Sequence, residues 1–590
     1  MITFPRIKNN YVSQYITDTF GGYNHNLKIG EGEFYEMENL TSSFYPMLAS
    51  RNKRGTVAEL TAPGGLLAKS ALAYIDNRRL IYDGNDITDN LTEAGYSISE
   101  GEKNLVSMGA YILIFPDKLY INTEDLTDCG SINAQFESTG EVSYSLCRID
   151  GSAYAKHVVS ASAPANPENN ALWIDSSSSP HVLKQYSAQT ALWTDIATVY
   201  TKISHAGIGK NLKVYDGVSI YGCEAEGSCA DQIEALNGTK IVYDRGDDYI
   251  VVVGILDEAC SQSSGKVSIS RTMPELDFVT EAENRLWGCK YGVVNGRTVN
   301  EIYACALGDF KNWNQFLGLA TDSYTASVGT DGPWTGAVTL LGAPIFFKEN
   351  VLHKVYISST GAHSIADTAC RGVQKGSHKS LQVVNEKLFY KSVSGVCVYD
   401  GSLPDSISDA LGAERYSDAV AGSLEDKYYI SMKDKKGAWH LFVYDSGKGF
   451  WHREDSTQAM CFARCSGELF FIDSASKKLL SINGTVGTEE EKLKWKAESG
   501  LQGYRSPGKK YVSRVNLRVV LPIGSEISVY IQYDSYDYWH SIGYVLGSGV
   551  DSFVIPVIPR RCDHFKIRLQ GSGEFRLYSI TKNYETGSDM

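Results

Sequence analysis

A charged or polar pair, an aliphatic–aromatic couplet and a turn recur along this chain, and the spacing of that recurrence limits the fold more than any other feature. The pattern stands as "GAPIFFKENVLHKVYI", "NEKLFYKSVSGVCVYDGS", "EDKYYISMKDKKGAWHLFVYDSGKGFW" and "SGELFFIDSASKKLLSINGT". Counted between Phe346, Phe389, Tyr429 and Phe470, the intervals are 43, 40 and 41 residues. A four-stranded propeller blade takes roughly 40 to 45 residues, and a single small sheet cannot bury both faces without neighbours. The pattern runs back, less regularly, to Trp287, Leu113 and Ile81. The expectation is an all-β chain built on a β-propeller of about 6–8 blades, with the N-terminal segment supplying a closing strand to the last blade.

Between Leu113 and Trp287 the period breaks, and "SASAPANPENN" and "IDSSSSP" read as loop or linker. Within that gap "TKISHAGIGKNLKVYDGVSIYGCE" and "LNGTKIVYDRGDDYIVVVGIL" alternate apolar and polar residues at period two. A small β-barrel or sandwich inserted into a propeller loop accounts for both observations. After the last unit, "TEEEKLKWKAESG" is a charged run with room for a helical turn. Longer alternating strands follow, with Val515, Leu517 and Val519 on one face of the first and Ile527, Val529 and Ile531 on one face of the second. They predict a C-terminal β-sandwich of jelly-roll type. The expected division is 1–129 for the N-terminal segment and first blades, 130–275 for the insert, 276–490 for the remaining blades and 491–590 for the sandwich.

Charge and composition narrow the function. A net charge of −13 argues against a protein that grips nucleic acid, because affinity for phosphates comes mainly from clustered Lys and Arg. An acidic surface can still line a passage through which DNA slides. No stretch reaches the roughly 20 apolar residues needed to span a bilayer, and "MITFPRIKNN" has no apolar run of signal type, so synthesis in a cytosol without membrane insertion is expected. The 12 Cys are scattered, as for reduced thiols used as small core residues. Cys461 and Cys465 in "CFARC" lack companion zinc ligands, so no metal and no cofactor is expected.

Catalytic signatures are sparse. No phosphate-binding loop, zinc-protease motif or serine nucleophile elbow occurs. "SVGTDGPWTG" holds Asp331, Gly332 and Trp334 in the wrong order for a sialidase turn. The carboxylates Asp247, Asp248, Glu489, Glu490 and Glu491 sit in polar runs and read as solvated surface, and the "RGD" at Arg245 reads as a hairpin turn. No catalytic residue is expected from this pattern. The most suggestive local feature is "YDSYDYWHSIGY", where Tyr533, Tyr536, Tyr538 and Trp539 crowd a strand end. Exposed aromatics stack on sugars or anchor interfaces, while buried sandwich aromatics are the plainer reading.

The opening "FGGYNHNLKIGEGEFYEMENLTSSFYPMLASRNKRG" resembles the start of bacteriophage virion structural proteins of β-propeller type, a group that includes tail nozzle, packaged-DNA stabilisation and head-tail connector proteins. "FFKENVLHKVY", "GVQKGSHKSLQVVNEKLFYKSVSGVCVYDGSLPDSIS" and the terminal "IPVIPRRCDHFKIRLQGSGEFRLYSI" are similar to blade and sandwich text of that group. The resemblance implies a structural, non-enzymatic part of a phage tail or neck, forming a symmetric ring of six and acting as part of the DNA conduit for ejection. Its expected partners are copies of itself, other tail, adaptor or portal proteins, and DNA in passing. Its place would be the virion, assembled in the host bacterial cytoplasm. Two other readings stand beside it: a tail-tip receptor-binding protein that takes host-surface glycans through the four aromatics, and a propeller glycan hydrolase.

Overall fold

A computed structural model describes residues 12–224, 228–358, 360–504 and 508–586; the opening "MITFPRIKNN" lies outside them. The chain's regular elements are nearly all strands, and the described residues hold two short α-helices, at Thr88–Glu93 and Ala230–Glu234. Seven small antiparallel sheets follow one another: 63–86 (blade 1), 104–131 (blade 2), 278–327 (blade 3), 336–369 (blade 4), 382–406 (blade 5), 416–453 (blade 6) and 459–481 (blade 7). The first strands of successive blades pack side by side, the step from blade 4 to blade 5 passing through the turn His378–Ser380. The circuit returns where Ala459–Cys465 of blade 7 packs on Pro63–Ala68 of blade 1.

The repeated couplet lies on the second strand of a blade. Successive side chains of a strand point to opposite faces, so the two members of a couplet are buried against different neighbours. Phe346 packs in a core with Trp287 of blade 3, and Phe347 in one with Tyr390 of blade 5. Tyr428 joins Phe389 of blade 5, while Tyr429 joins Phe471 of blade 7. Phe470 closes the circle in a core that includes Leu66 of blade 1. Ile81 departs from this rule: it lies on Arg79–Tyr82, the third strand of blade 1, and Leu72–Asp76 takes the second position. Close packing between blades also dictates a glycine. A Cβ on Gly422 of blade 6 would lie 2.5 Å from Cβ of Phe462 in blade 7.

Blade 7 has only three strands of its own. Its fourth is Gly55–Glu59, which pairs antiparallel with Lys478–Ser481. The residues just before this strand anchor it through ions. Arg51 forms a two-pronged contact with Glu490 at 2.8 and 3.1 Å, and Arg54 reaches Glu454 and Asp455, each at 2.7 Å. The Arg54 guanidinium also lies 5.1 Å from the centre of the Phe471 ring. Burial pushes the Asp455 and Glu490 carboxyls up, but the two arginines more than offset it and hold both below the usual range. Glu490 is therefore an ion-pair partner of the closure rather than solvated surface, because the chain turns back to meet Arg51.

The C-terminal sandwich also recruits the N-terminal segment, so that 491–590 does not build it alone and residues 12–50 belong with it rather than with the first blades. Val12–Thr17 and Leu48–Ser50 pair with Arg576–Thr586 in one sheet, and Glu33–Glu38 pairs with Lys494–Ser499 in the other. That second sheet continues through Gly22–Tyr23 into Phe450–Arg453 of blade 6, so sandwich and propeller share hydrogen-bonded strands. The charged run "TEEEKLKWKAESG" forms strands at Thr488–Glu489 and Lys494–Ser499 instead of a helical turn, because Trp495 and Ala497 alternate into the core. Val515, Leu517, Val519, Ile527, Val529 and Ile531 are fully buried there.

Residues 134–271 form two sheets around Ile203, Val218, Ile220, Ile250 and Val252. A further four-stranded sheet spans 157–195, and "SASAPANPENN" and "IDSSSSP" supply loops within this sheet, the loop and not the linker of the two expectations. Asn312, from a loop of blade 3, donates to the Tyr215 carbonyl at 2.9 Å and accepts from the Gly217 N–H at 3.2 Å. These bonds pin the insert to the propeller.

Replacing Arg54 with Met takes from buried Glu454 its 2.7 Å partner and leaves it only Arg51 at 3.8 Å. The expected loss is about 3 to 5 kcal/mol, read as an earlier urea midpoint, while Lys53→Met at a half-exposed neighbour moves it little. A second test concerns His452, which is buried with neither ring nitrogen hydrogen-bonded; burial first, and Lys427 second, push its pKa well down. The unfolded chain takes up this proton below about pH 6.5, whereas the folded state does not. The stabilising contribution is complete above that pH and is lost as pH falls. Thermal midpoints measured from about pH 7 to about pH 5 should therefore decline less steeply in His452→Leu than in the parent.

Candidate functional site

The four aromatics singled out in the sequence occupy one end of the sandwich, and the turn that carries them is fixed by its neighbours. Asp534 and Ser535 both take positive φ, 47° and 58°, conformations that Asp tolerates better than most residues. The Asp534 carboxylate accepts from the Asp563 backbone N–H at 2.6 Å, and the Ser535 hydroxyl contacts His564 Nε2 at 2.7 Å. The turn is thus bound to the 562–564 segment at both of its strained residues.

The rings divide sharply in exposure. Tyr533 ends the strand Glu526–Tyr533 with its side chain in the core, only 4% exposed. As a surface contact it is corrected: strand alternation from Ile527, Val529 and Ile531 turns it inward. Tyr536 and Tyr538 are about half exposed, and their rings lie nearly parallel with centres 6.2 Å apart. Arg560 donates to the Tyr538 hydroxyl at 3.0 Å and approaches His540 Nε2 at 2.9 Å. Trp539 is half-buried beneath the Arg568 guanidinium at 3.9 Å, and Arg568 is held by Glu498 at 2.8 Å. The geometry presents two tyrosine faces with an arginine alongside, which suits a sugar ring or a protein surface.

Sequence reasoning missed the apolar edge next to this turn. His540–Leu546 ends one sheet of the sandwich and Gly549–Pro556 ends the other. Tyr544, Leu546, Val550 and Val554 point outward from these strands, and Ile558 beyond them is 90% exposed. The signal was present as alternation, but which of the two apolar sets faces the core is set by pairing with distant strands. Open edge strands with apolar side chains are prone to join another chain.

At the propeller axis, the innermost strands of the blades carry Glu281 and Asp418 as their carboxylates among the described residues. Glu281 accepts from the Asn284 backbone N–H at 3.0 Å, and Asp418 lies 3.9 Å from Lys433. Thr280 and Thr339 share a hydroxyl contact at 2.9 Å between blades 3 and 4. Among the described residues no group of three or more His, Cys, Asp or Glu is placed to hold a metal ion; Cys461 and Cys465 lie on the first strand of blade 7. No helix there is long and apolar enough to cross a membrane.

No protein-family model matches the chain, and no curated protein matches it. Among solved structures it is similar to an exo-β-1,3-galactanase from Phanerochaete chrysosporium with β-1,3-galactotriose, at 9% identity and a TM-score of 0.21, over 52% of this chain and 94% of that one. It is also similar to a glycoside hydrolase at 10% identity and a TM-score of 0.19, over 51% and 96%. The expectation that the chain is not an enzyme is withdrawn on this finding, since these neighbours are hydrolases. TM-scores near 0.2 carry no argument for a reaction, a substrate or a catalytic residue in this chain.

The exposure pattern makes a direct stability test. Removing Tyr536 and Tyr538 together as alanines should shift the thermal midpoint by no more than an exposed substitution does, about 0.5 kcal/mol. Tyr533→Ala should cost about 3 to 5 kcal/mol, as for a buried aromatic, with both variants compared by thermal denaturation.

Proposed function

We propose that this protein is a structural component of a bacteriophage tail or neck that assembles side by side into a ring around the path of the DNA. The observation that carries the reading is the apolar pair of edge strands on the sandwich, Tyr544 and Leu546 on one and Val550 and Val554 on the other. A ring of identical subunits needs a head-to-tail interface that closes by rotation, and an uncovered sheet edge provides one half of it. The resemblance of the N-terminal and blade sequences to propeller-type virion proteins supports the same reading. So does the net charge of −13, because a conduit that bound phosphates firmly would hold its DNA back. Six copies, contact with adaptor or portal proteins, and a place in the virion after assembly in the bacterial cytoplasm belong to this proposal.

A second reading is favoured by one observation, the parallel and exposed pair Tyr536 and Tyr538 beside Arg560. It is a tail-tip protein that takes host-surface glycans on these rings.

Light scattering and negative-stain imaging of the purified chain distinguish the two. The expected result is a closed ring that Val554→Asp with Ile558→Lys converts to monomers, with antibody to the 134–271 insert decorating virions at the neck or along the tail. Monomers at every concentration, with label confined to the outermost tip and a glycan-array signal lost in Tyr538→Ala, would overturn the ring in favour of glycan binding.

A further inference from the structure

In this acidic chain, positive charge gathers in a cleft of about 770 Å³ where the insert meets blades 2 and 3. The insert contributes Lys210, Lys213, Arg245 and Arg271, and the loop of blade 3 contributes Lys311. Among the described residues that line it, none is acidic. Ligand sites in proteins have volumes of roughly 300 to 1,000 Å³, so the cleft has room for a small organic molecule.

The five cations play different parts. Arg271 is committed to the fold: it donates to Asp216 at 2.6 Å and to the Asn211 carbonyl at 3.3 Å, and it is buried. Arg245 lies 3.3 Å from Asp247. Lys210, Lys213 and Lys311 have no carboxylate within ion-pair distance among the described residues, in contrast to Lys103, Lys118 and Lys290, which are each paired. Lys311 is half-buried with its ammonium 3.8 Å from the centre of the Tyr120 ring. Burial, and then Lys213, push its pKa down to about 8, against the pull of Asp128 and with Arg271 and Asp309 as smaller influences. An ammonium so placed is short of negative charge.

The position of Lys311 is built rather than incidental. It precedes Asn312, whose side chain is bonded to Tyr215 and Gly217 of the insert, and Trp313 is buried with its indole N–H donating to the Phe310 carbonyl at 2.8 Å. The loop is therefore clamped by the residues that directly follow the lysine. Two tyrosines complete the walls: Tyr120, whose ring carries Lys311, and Tyr96, which is 38% exposed.

We propose that this cleft binds a phosphate ester carrying a ring, a sugar phosphate or a nucleotide, with its phosphate held by Lys213 and Lys311 and its ring placed against Tyr96. Three unpaired ammonium groups call for more than the single charge of a carboxylate, and a phosphate monoester supplies close to two negative charges at neutral pH. Lysine binds phosphate as a point charge without the planar geometry that arginine imposes. Aromatic faces accept either a sugar or a base. The proposal does not depend on the tail reading, and its failure would leave that reading untouched.

Calorimetric titration of the whole protein at low salt tests it, with glucose 1-phosphate, adenosine monophosphate, inorganic phosphate, glucose and galacturonate as probes. Both esters should bind, glucose should not, and Lys213→Met with Lys311→Met should weaken the esters by about tenfold or more, as loss of charged hydrogen bonds implies. Tighter binding of the nucleotide identifies that source, and tighter binding of the sugar phosphate identifies the other. If the double variant unfolds early, Lys213→Met alone, at an exposed position, should show the same direction of loss. No heat with any phosphate, unchanged affinity in folded variants, or galacturonate bound as well as the esters would overturn the assignment.

Discussion

A strand that is apolar on both faces must have a sheet on each side of it, and everything else in this protein follows from meeting that demand. Phe346 and Phe347, Phe389 and Tyr390, Tyr428 and Tyr429, Phe470 and Phe471 are adjacent in sequence but buried in different cores. Each blade therefore stabilises its two neighbours and cannot end the series. Only a closed circuit leaves no couplet facing water, and this is why Leu66 of blade 1 packs with Phe470 of blade 7.

Closing the circuit brings a charge problem with it. The strand that completes blade 7 comes from residues 55–59, and the chain just before it must cross from the sandwich to the propeller. Arg51 and Arg54 sit at this crossing, 5% and 4% exposed. Withdrawing two guanidinium groups from water is costly unless they are paired and hydrogen-bonded. Glu454, Asp455 and Glu490 supply that pairing from the end of blade 6 and from the approach to the sandwich. The same contacts tie together three regions distant in sequence, so the network fixes register at the junction as well as satisfying its own charges. The sheet shared between blade 6 and the sandwich then leaves the two units little freedom to turn against each other.

What could be read in the sequence was whatever repeats or alternates locally. The 40 to 43 residue interval announced the blades because each must present the same two-faced strand, and the period-two runs around Val515 and Ile527 announced the sandwich. Pairing over long distances left no such trace. Residues 12–50 joined the sandwich because Arg576–Thr586 and Lys494–Ser499 offered them edges, and nothing in their own pattern names those partners. Glu490 looked like one acid in a polar run until Arg51 was brought to it. Among the site residues, alternation could have assigned Tyr533 to the core, since it continues the buried series of Ile527, Val529 and Ile531. The exposure of Tyr536 and Tyr538 depended on the turn at Asp534 and Ser535, which is set by contacts to 562–564.

The basic cleft illustrates the same limit for charge. Its cations lie at 210–213, 245, 271 and 311, each in a stretch with acids nearby, and the net charge of −13 pointed away from any anion site. Net charge constrains the average field around a protein, not the field inside a cleft with low-dielectric walls. Folding has separated the charges here: Asp216 is drawn down to Arg271 and Asp247 stays beside Arg245, while the three lysine ammonium groups keep no carboxylate of their own among the described residues. An insert that interrupts a regular propeller costs its loop the short, self-contained geometry of the other blades. Two surfaces arise that the repeating blades do not make by themselves: the insert gives a charged cleft at its junction, and the strands before the first blade and after the last give a sandwich with apolar edges. Function in this chain is therefore to be sought where the repeat is broken rather than where it is kept.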